Sequence, residues 1–218
     1  AYMRAADNHY GPMAQTARID SAVTIHFRTY NAESFPHAQT FQRIRVRARG
    51  SGSIAFITGG KRMELTCADA SPEHATDLYQ VTLSSPVRGG AVVIDGAMSV
   101  QAIQLDGTSG VVMDNVAMRG SSGNVFTSIS RGSLQPFFRS ENVRLIILQY
   151  GGNSVPYLRK DEDVATFCEG IRRQIALFRE LAPQAKILFI GPSDSATLVK
   201  GDMTTYPIPP TLNTALRQ

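Results

Sequence analysis

The feature that most constrains the fold is a strand–helix–strand pattern that begins near residue 143. Residues 143–153 have the sequence V-R-L-I-I-L-Q-Y-G-G-N, in which Leu145–Leu148 is an unbroken apolar run. Such a run is typical of a strand buried on both faces of a parallel sheet. The run is followed by Gly151-Gly152-Asn153, so the Asn153 amide is predicted at the carboxyl edge of the sheet, where open α/β sheets bind their ligands.

An amphipathic helix is predicted after the first strand. Residues 161–182 carry apolar side chains at intervals of 3.6 residues, and the charged side chains fall mostly on the other side. The apolar positions are Val164, Phe167, Cys168, Ile171, Ile175, Phe178 and Leu181. Asp161 is the predicted N-cap, and Pro183 helps to end the helix. Lys186–Ile190 is predicted as a second buried strand, closed by Gly191-Pro192, which completes a right-handed βαβ unit.

Two further elements are predicted upstream of this unit. Gly110–Ala117 has the pattern of another strand, which ends at Met118-Arg119-Gly120. Val125–Phe138 is predicted as one helix with an apolar side formed by phenylalanine, isoleucine and leucine. The second half of the chain is therefore predicted to be α/β, with at least three strands.

The first hundred residues have a period of two instead. Apolar and polar side chains alternate along four runs, centred on Ile25, Val46, Leu65 and Val81. The predicted turns between runs are Gly50-Ser51-Gly52, Gly59-Gly60, Ser71-Pro72, Gly89-Gly90 and Asp95-Gly96. Short alternating strands at this spacing predict an antiparallel sandwich or jelly roll. The period changes near residues 106–110, so the predicted domains are 1–108 and 109–218.

Composition excludes several classes of function. The net charge of +4 is modest and is not concentrated in one half, which does not favour nucleic-acid binding. No apolar run is long enough to span a bilayer, and these residues contain no signal peptide. There is no metal-ligand cluster and no phosphate-binding loop, so neither a metal nor a cofactor is expected. Cys67 and Cys168 are predicted as two buried thiols, with a disulfide as the alternative.

The segment that ends at Asn153 resembles the third sequence block of the SGNH hydrolases, the GDSL esterase/lipase superfamily, in which a strand ends in Gly-x-Asn. Gly120 resembles the glycine of the second block, and Lys186–Asp194 resembles the following strand and loop. The resemblance covers roughly Gly110–Asp194. A β-rich region before these blocks is similar to the subgroup with a jelly-roll insert, which includes peptidoglycan and polysaccharide O-acetylesterases.

This resemblance implies a fold and a chemistry. It implies a flavodoxin-like α/β three-layer sandwich of the SGNH type, preceded by an antiparallel β-sandwich or jelly-roll module. In the family a serine attacks an ester carbonyl, and the oxyanion is stabilised by the serine N–H, the second-block glycine N–H and the third-block asparagine side chain. Gly120 and Asn153 are thus the predicted oxyanion-hole residues. The alternative is that Gly120 is only a turn residue and that Asn153 only caps a loop.

Several family motifs are absent from the sequence. Ser154 stands where the family has an acidic residue, and the Gly-Asp-Ser motif of the nucleophile does not occur. Asp20-Ser21 is the nearest pair, but it lacks the glycine and precedes an alternating strand. No Asp-x-x-His motif follows Asp194, and no histidine follows His74. The four histidines, His9, His26, His37 and His74, all fall in the β-rich part, and each is expected to be a surface or strand residue. The expectation is that the nucleophile and the general base lie in flanking segments of a longer hydrolase.

Four arginines alternate along one predicted strand. Arg43, Arg45, Arg47 and Arg49 are spaced by two residues, which places them on one face of the strand. One interpretation is a surface for an anionic polymer, and the other is a solvated face with neighbouring acidic residues.

The sequence as a whole predicts the core of a serine esterase that removes acyl groups, acetyl in the first instance, from carbohydrate or cell-wall polysaccharide. The predicted partner is therefore an acylated carbohydrate, and the predicted location is secreted, periplasmic or on a bacterial cell surface. The competing prediction is a non-catalytic glycan- or protein-binding module on a degenerate hydrolase fold. A further alternative is an unrelated α/β protein, which gains support if Gly120 and Asn153 lie far apart.

Overall fold

The structure is a computed structural model that describes residues 10–30, 33–67, 76–118 and 120–217. The chain forms two compact units. One comprises Ala1–Val116 with Ser130–Pro136, and the other comprises Ala117–Ile129 with Phe137–Gln218. The domain boundary predicted between residues 108 and 109 stays a prediction.

The first unit is a mostly antiparallel β-sheet, as the alternating pattern predicted. Its strands are β1 (Ala17–Ile19), β2 (Val23–Arg28), β3 (Phe41–Thr58), β4 (Lys61–Glu64), β5 (Thr66–Cys67), β6 (Asp77–Val87) and β7 (Gly89–Asp106). The strand order is β1-β7-β3-β6-β5, with β2 also paired to β7 and β4 to β3. A short 3₁₀ helix covers Pro36–Ala38. Every strand pair of this sheet within the described residues is antiparallel.

The core of this unit contains the apolar half of each alternating strand. Ile44, Val46 and Ala48 of β3 are fully buried, which confirms the predicted inward side of that strand. Phe27, Phe41 and Phe56 pack together with ring centroids about 6 Å apart, at 5.9, 6.0 and 6.1 Å. The prediction that Cys67 is buried was wrong, because this side chain is exposed.

Two of the predicted turns are interior positions of long strands. The Gly50-Ser51-Gly52 segment lies within β3, and Asp95-Gly96 lies opposite it within β7. The pairing joins Gly52 to Gly96. A Cβ atom on Gly96 would lie 2.4 Å from the Ser51 carbonyl oxygen. These glycines therefore allow the backbones of two paired strands to approach closely, and they do not form a turn that reverses the chain. The predicted turn at Gly59-Gly60 is confirmed, with φ of +53° and +74°.

The arginine row is not a solvated face. Arg45 is 5% exposed and Arg47 is 1% exposed, whereas Arg49 is exposed. Asp106, on the neighbouring strand β7, accepts hydrogen bonds from Nε of Arg45 at 3.0 Å and from its terminal nitrogen at 2.5 Å. Both predictions for the row are therefore corrected: the middle arginines are buried, one of them in an ion pair, and are not available to a polymer or to solvent.

The strand–helix–strand prediction is confirmed in the second unit. Strands β8 (Leu145–Gln149) and β9 (Lys186–Ile190) pair in parallel, with Leu145 opposite Lys186 and Gln149 opposite Ile190. Helix α2 (Asp161–Leu181) connects them. The helix has its N-cap at Lys160 rather than at Asp161, because the Asp163 carboxylate accepts the backbone N–H groups of Arg159 and Lys160. Both hydrogen bonds lower the pKa of the Asp163 carboxyl group, and the bond from the Arg159 N–H has the larger effect.

The remaining elements after residue 116 are short. They are two 3₁₀ helices (Val125–Ser128 and Val155–Tyr157), helix α1 (Arg131–Ser140), the antiparallel hairpin of β10 (Ala196–Val199) and β11 (Asp202–Thr205), and helix α3 (Ile208–Leu216). A small core joins Val155, Val164, Cys168 and Leu212. None of the described helices is long and apolar enough to span a membrane.

Two predictions upstream of β8 were wrong. Residues 111–118 form no strand, and Val111 and Met113 are 99% and 84% exposed. The single helix predicted over Val125–Phe138 is interrupted at Ile129, which has extended backbone with ψ of 139°. Polar residues lie on both sides of the break, and the Thr127 hydroxyl donates to the Asn124 carbonyl oxygen at 2.7 Å. Such local side-chain bonds compete with helix formation.

Strand β8 is not buried on both faces. Leu145 and Ile147 are 53% and 51% exposed, whereas Leu148 on the opposite face is 4% exposed. The predicted third strand is missing from the parallel sheet, which has two strands among the described residues. A flavodoxin-like three-layer sandwich is therefore not shown.

Candidate functional site

The two predicted oxyanion-hole residues lie at neighbouring loops of the second unit. Asn153 follows β8, and its Nδ2 donates a hydrogen bond of 3.2 Å to the backbone carbonyl oxygen of Ser121. Ser121 is the residue directly after Gly120. The Asn153 side chain therefore lies beside the Ser121–Ser122 peptide, which begins one residue after Gly120, although Asn153 is distant from it in sequence. A carboxamide nitrogen has two hydrogens, and this bond uses one of them.

Gly120 occupies a tight turn. Its φ is +81°, and the Ser121 N–H donates to the Met118 carbonyl oxygen at 3.1 Å. A positive φ at the third position of a turn favours glycine, because other residues are strained there. A Cβ atom at this position would meet nothing within 4 Å, so the backbone conformation, and not lack of space, is what requires glycine. The same open space leaves the residue exposed.

The loop after Gly120 is supported by Tyr150. Gly123 is buried with φ of +94°, and a Cβ atom on it would lie 2.5 Å from the Tyr150 ring. The Gly123 N–H donates to Ser121 Oγ at 3.2 Å. Tyr150 is itself fixed by its position directly before Gly151 and by its N–H, which donates to the Ile190 carbonyl oxygen at 3.2 Å.

Gln174 connects this loop region to helix α2. Its side chain is completely buried, and Oε1 accepts a hydrogen bond of 3.3 Å from the Phe126 N–H. Burial raises the pKa of Tyr150, and the side chain of Gln174 lowers it in part. Gln174 Nε2 forms no hydrogen bond with any described residue.

A third loop completes the carboxyl edge of the parallel strands. Gly151 is buried with φ of +115°, and a Cβ atom on it would lie 2.7 Å from the ring of Pro192. Asn213 of α3 donates from Nδ2 to the Pro192 carbonyl oxygen at 3.0 Å. The loops after β8 and β9 therefore pack against each other, and α3 holds the second of them. This framework fixes the backbone from which Asn153 projects.

Among the described residues of the second unit, no histidine base accompanies Gly120 and Asn153. The sequence from residue 117 to residue 218 contains no histidine. His26 lies on the exposed side of β2 in the first unit, and His9 and His74 lie outside the described residues. Ser154 Oγ is buried and has no hydrogen-bond partner among the described residues, so none of them is hydrogen-bonded to it as a base.

The described residues of the second unit contain neither a metal-ligand cluster nor an activated thiol. No group of three or more histidine, cysteine, aspartate or glutamate side chains there has the geometry of a metal site. Cys168 is a free buried thiol, and burial raises its pKa, which disfavours the reactive thiolate. The chemistry that the site can perform is therefore hydrogen-bond donation from backbone and carboxamide N–H groups.

Sequence reasoning missed the residues that support the site. Ser121, Gly123, Tyr150, Gln174 and Asn213 were not identified as candidates. One signal was present for Gln174, since a polar residue stands three positions after Ile171 and four before Phe178, on the buried side of the helix. Nothing local marks Ser121 as the partner of Asn153.

Comparisons with known proteins give only distant likenesses. No family model matches the sequence, and no curated protein matches it. The catalytic unit of a thermostable GH87 α-1,3-glucanase from Streptomyces thermodiastaticus strain HF3-3 aligns with 68% of this chain at 12% identity and a TM-score of 0.34. A family two carbohydrate esterase from Clostridium thermocellum, solved in complex with cellohexaose, aligns with 91% of this chain at 11% identity and a TM-score of 0.28. The chain spans 31% of the glucanase structure and 78% of the esterase structure.

Proposed function

We propose that this chain is the core of a serine esterase that removes acyl groups, acetyl in the first instance, from carbohydrate. The observation that carries the proposal is the hydrogen bond between Asn153 Nδ2 and the Ser121 carbonyl oxygen. It brings the amide of the Gly-x-Asn motif to the residue that follows Gly120, which supports an oxyanion hole made from these two motifs.

The geometry of the two residues supports the roles proposed for them. The exposed turn at Gly120 leaves room for a substrate oxygen to approach its backbone N–H. Asn153 supplies a second donor with the amide hydrogen that does not bond to Ser121. Two donors aimed at one oxygen stabilise the negative charge that develops in the transition state of ester hydrolysis.

We also propose the corresponding architecture. The second unit is part of an α/β three-layer sandwich, and the first is a jelly-roll module. One parallel strand pair joined by a helix supports the first assignment. The exposed apolar side chains of β8 and β9 support it as well, since parallel sheets are normally covered on both faces. The nucleophilic serine and its histidine base belong to segments outside these 218 residues.

The first prediction concerns Asn153. In a longer polypeptide of the same gene that hydrolyses acetyl esters, Asn153→Ala is expected to lower kcat by roughly 10²–10³-fold, the usual effect of losing one oxyanion donor. KM should change little, because the donor acts on charge that is present only in the transition state. Hydrolysis of an aryl acetate and of an O-acetylated glycan measures both constants.

Asn142→Ala is the matched control, because Asn142 is exposed and lies before the amino end of β8. Equal losses of kcat in the two variants would contradict the oxyanion assignment. The 218-residue chain alone should hydrolyse acetyl esters little or not at all. Robust turnover by it would place the nucleophile within this chain.

The second candidate function is a non-catalytic glycan- or protein-binding module. The observation that favours it is the absence of histidine from the second unit, since a serine without a base is a poor nucleophile at neutral pH. A longer polypeptide that binds the O-acetylated glycan in calorimetry but hydrolyses neither substrate would support this function against the esterase.

A further inference from the structure

Tyr150 stands between the two proposed oxyanion donors of the second unit. It precedes Asn153 by three residues, and its ring lies against Gly123, in the loop that follows Gly120. One donor is therefore connected to Tyr150 through the main chain, and the other is connected to it through packing of the ring. The separation of the two donors thus depends on where this ring is held.

The main chain fixes Tyr150 at the end of the parallel strands. Its N–H donates to the Ile190 carbonyl oxygen at 3.2 Å, which extends the pairing of β8 with β9 by one residue beyond Gln149. The next residue, Gly151, is buried, and a Cβ atom on it would lie 2.7 Å from the ring of Pro192. The backbone that carries the Tyr150 ring therefore has little freedom to move.

The face of the Tyr150 ring supports Gly123. A Cβ atom on Gly123 would lie 2.5 Å from Cγ of the ring and 2.8 Å from each of its two Cδ atoms. Because the two Cδ atoms are equally near, Gly123 lies over the face of the ring beside Cγ. The Gly123 Cα atom is one bond further away, which is within van der Waals contact distance of the ring. A side chain at position 123 would displace either the ring or the loop.

The loop that rests on this ring holds the Asn153 side chain. The Gly123 N–H donates to Ser121 Oγ, and the Ser121 carbonyl oxygen accepts from Asn153 Nδ2, both at 3.2 Å. A carboxamide is planar, so its hydrogen bond to Ser121 also sets the direction of its second N–H. Gly120 directly precedes Ser121. A displacement of Gly123 would therefore move both the acceptor that orients Asn153 and the turn that presents the Gly120 N–H.

We propose that Tyr150 is a positioning residue, whose ring supports the loop of residues 121–123 and thereby sets the orientation of the Asn153 carboxamide relative to the Gly120 N–H. The contact with Gly123 is made by the ring, so phenylalanine should serve at this position as well as tyrosine does. The catalytic part of the inference rests on the proposed esterase function. Its structural part, the control of the Asn153 side chain by the ring, does not depend on any reaction.

The structural part is tested in the 218-residue chain by NMR of the side-chain amide groups. The Asn153 signals are assigned as the pair that disappears in Asn153→Ala. Tyr150→Leu removes the flat ring, and it should shift or broaden the Asn153 pair. Tyr150→Phe keeps the ring, and it should leave the pair close to its wild-type position.

Gly123→Ala tests the same contact from the side of the loop. It places a Cβ atom against the Tyr150 ring at a φ of +94°, and it should also shift the Asn153 pair. The matched control is Gly201→Ala in the β10–β11 hairpin, because Gly201 has a φ of +96° but nothing within 4 Å of its Cβ position. This control introduces similar backbone strain without the clash, and it should leave the Asn153 pair unchanged.

Unchanged Asn153 signals in a folded Tyr150→Leu variant would overturn the proposal. If Tyr150→Leu does not fold, Gly123→Ala decides the question, and unchanged signals in that variant overturn the proposal. A change in Tyr150→Phe as large as the change in Tyr150→Leu would assign the effect to the hydroxyl group, and it would overturn the role of the ring.

The catalytic part is tested in the longer polypeptide. Tyr150→Leu should lower kcat by about 10- to 100-fold with little change in KM, as expected when a catalytic group is misplaced by about 1 Å. Tyr150→Phe should keep a kcat close to that of the wild type. A wild type that hydrolyses no ester would refute the proposed function, and the NMR result would still stand. An active wild type with an unaffected Tyr150→Leu variant would refute the positioning role alone.

Discussion

Arg45 and Asp106 form an ion pair inside the first unit, with side chains that are 6% and 4% exposed. Removing one member of a buried pair leaves an uncompensated charge, whereas an exposed pair contributes little because water and salt screen it. The chain offers an exposed comparison in Arg18 and Asp20, whose side chains are 82% and 68% exposed at an N···O distance of 2.9 Å.

Asp106→Asn is therefore expected to lower the free energy of unfolding by about 3–5 kcal/mol. Asp20→Asn should lower it by no more than about 1 kcal/mol. Urea unfolding followed by circular dichroism measures both. Similar losses in the two variants would show that the Arg45–Asp106 pair is not desolvated in solution. The double variant Arg45→Met/Asp106→Leu should recover part of the loss, because it removes both charges together.

The local sequence around a residue predicts some of its properties and not others. A Gly-x-Asn sequence after an apolar run is a local signal, and it located Asn153 at the end of β8. The partner of its amide is 32 residues away, and no local pattern predicts such a contact. The arginine row shows the same limit, since its period was correctly recognised and its burial was not.

At the scale of elements, the two longest strands show why glycines misled the prediction. Gly50 and Gly96 have φ of +124° and +132° and lie inside β3 and β7, not between strands. Glycine is the usual residue both for turns and for close backbone contact within sheets. The choice between these roles depends on the opposite strand, because a Cβ atom on Gly52 or Gly96 would clash with backbone atoms of that strand.

Two Gly→Ala substitutions should have opposite effects. Gly96→Ala places a Cβ atom 2.4 Å from the Ser51 carbonyl oxygen at a φ that other residues rarely adopt, and it should destabilise the first unit by about 2–4 kcal/mol. Gly170 lies inside α2 with nothing within 4 Å of its Cβ position. Gly170→Ala should therefore stabilise the chain by about 0.5–1 kcal/mol. Thermal unfolding of both variants checks the pair, and a stabilising Gly96→Ala would contradict the strand pairing.

At the scale of the whole molecule, an apolar sheet face remains open. Leu145, Ile147, Leu188 and Ile190 lie on one face of the β8–β9 pair, and each is between 40% and 53% exposed. A contiguous apolar patch of this kind is unusual on the surface of a folded protein, whereas scattered exposed apolar residues are common. The sequence predicted that both faces of β8 are buried. The described residues bury only the face that carries Leu148.

This face should bind an apolar dye such as ANS, which reports exposed hydrophobic surface. The double variant Ile147→Thr/Leu188→Thr should lower the fluorescence of the bound dye clearly. The matched control is Leu198→Thr/Met203→Thr, a cross-strand pair on the β10–β11 hairpin whose side chains are 67% and 70% exposed. It should lower the fluorescence less, because two isolated side chains form a smaller patch. A loss of fluorescence in the sheet variant that is no larger than in the control would contradict a contiguous exposed patch on this face.

The sequence by itself determined the features that depend on neighbouring residues. Alternation predicted the antiparallel strands of the first unit, and 3.6-residue spacing between two apolar runs predicted α2 with the parallel strands on either side of it. The Gly59-Gly60 turn followed from the conformational freedom of glycine. These predictions succeeded because each pattern repeats within one element, so that a few adjacent side chains decide it.

The tertiary structure alone decided which surfaces are covered and which distant groups meet. It buried Arg45 against Asp106, 61 residues away, and it placed the Asn153 amide on the Ser121 carbonyl. It also broke the helix predicted over Val125–Phe138 and left residues 111–118 without a strand. Burial and hydrogen bonding depend on what the rest of the chain brings to a position, and that information is absent from the periodicity of a single segment.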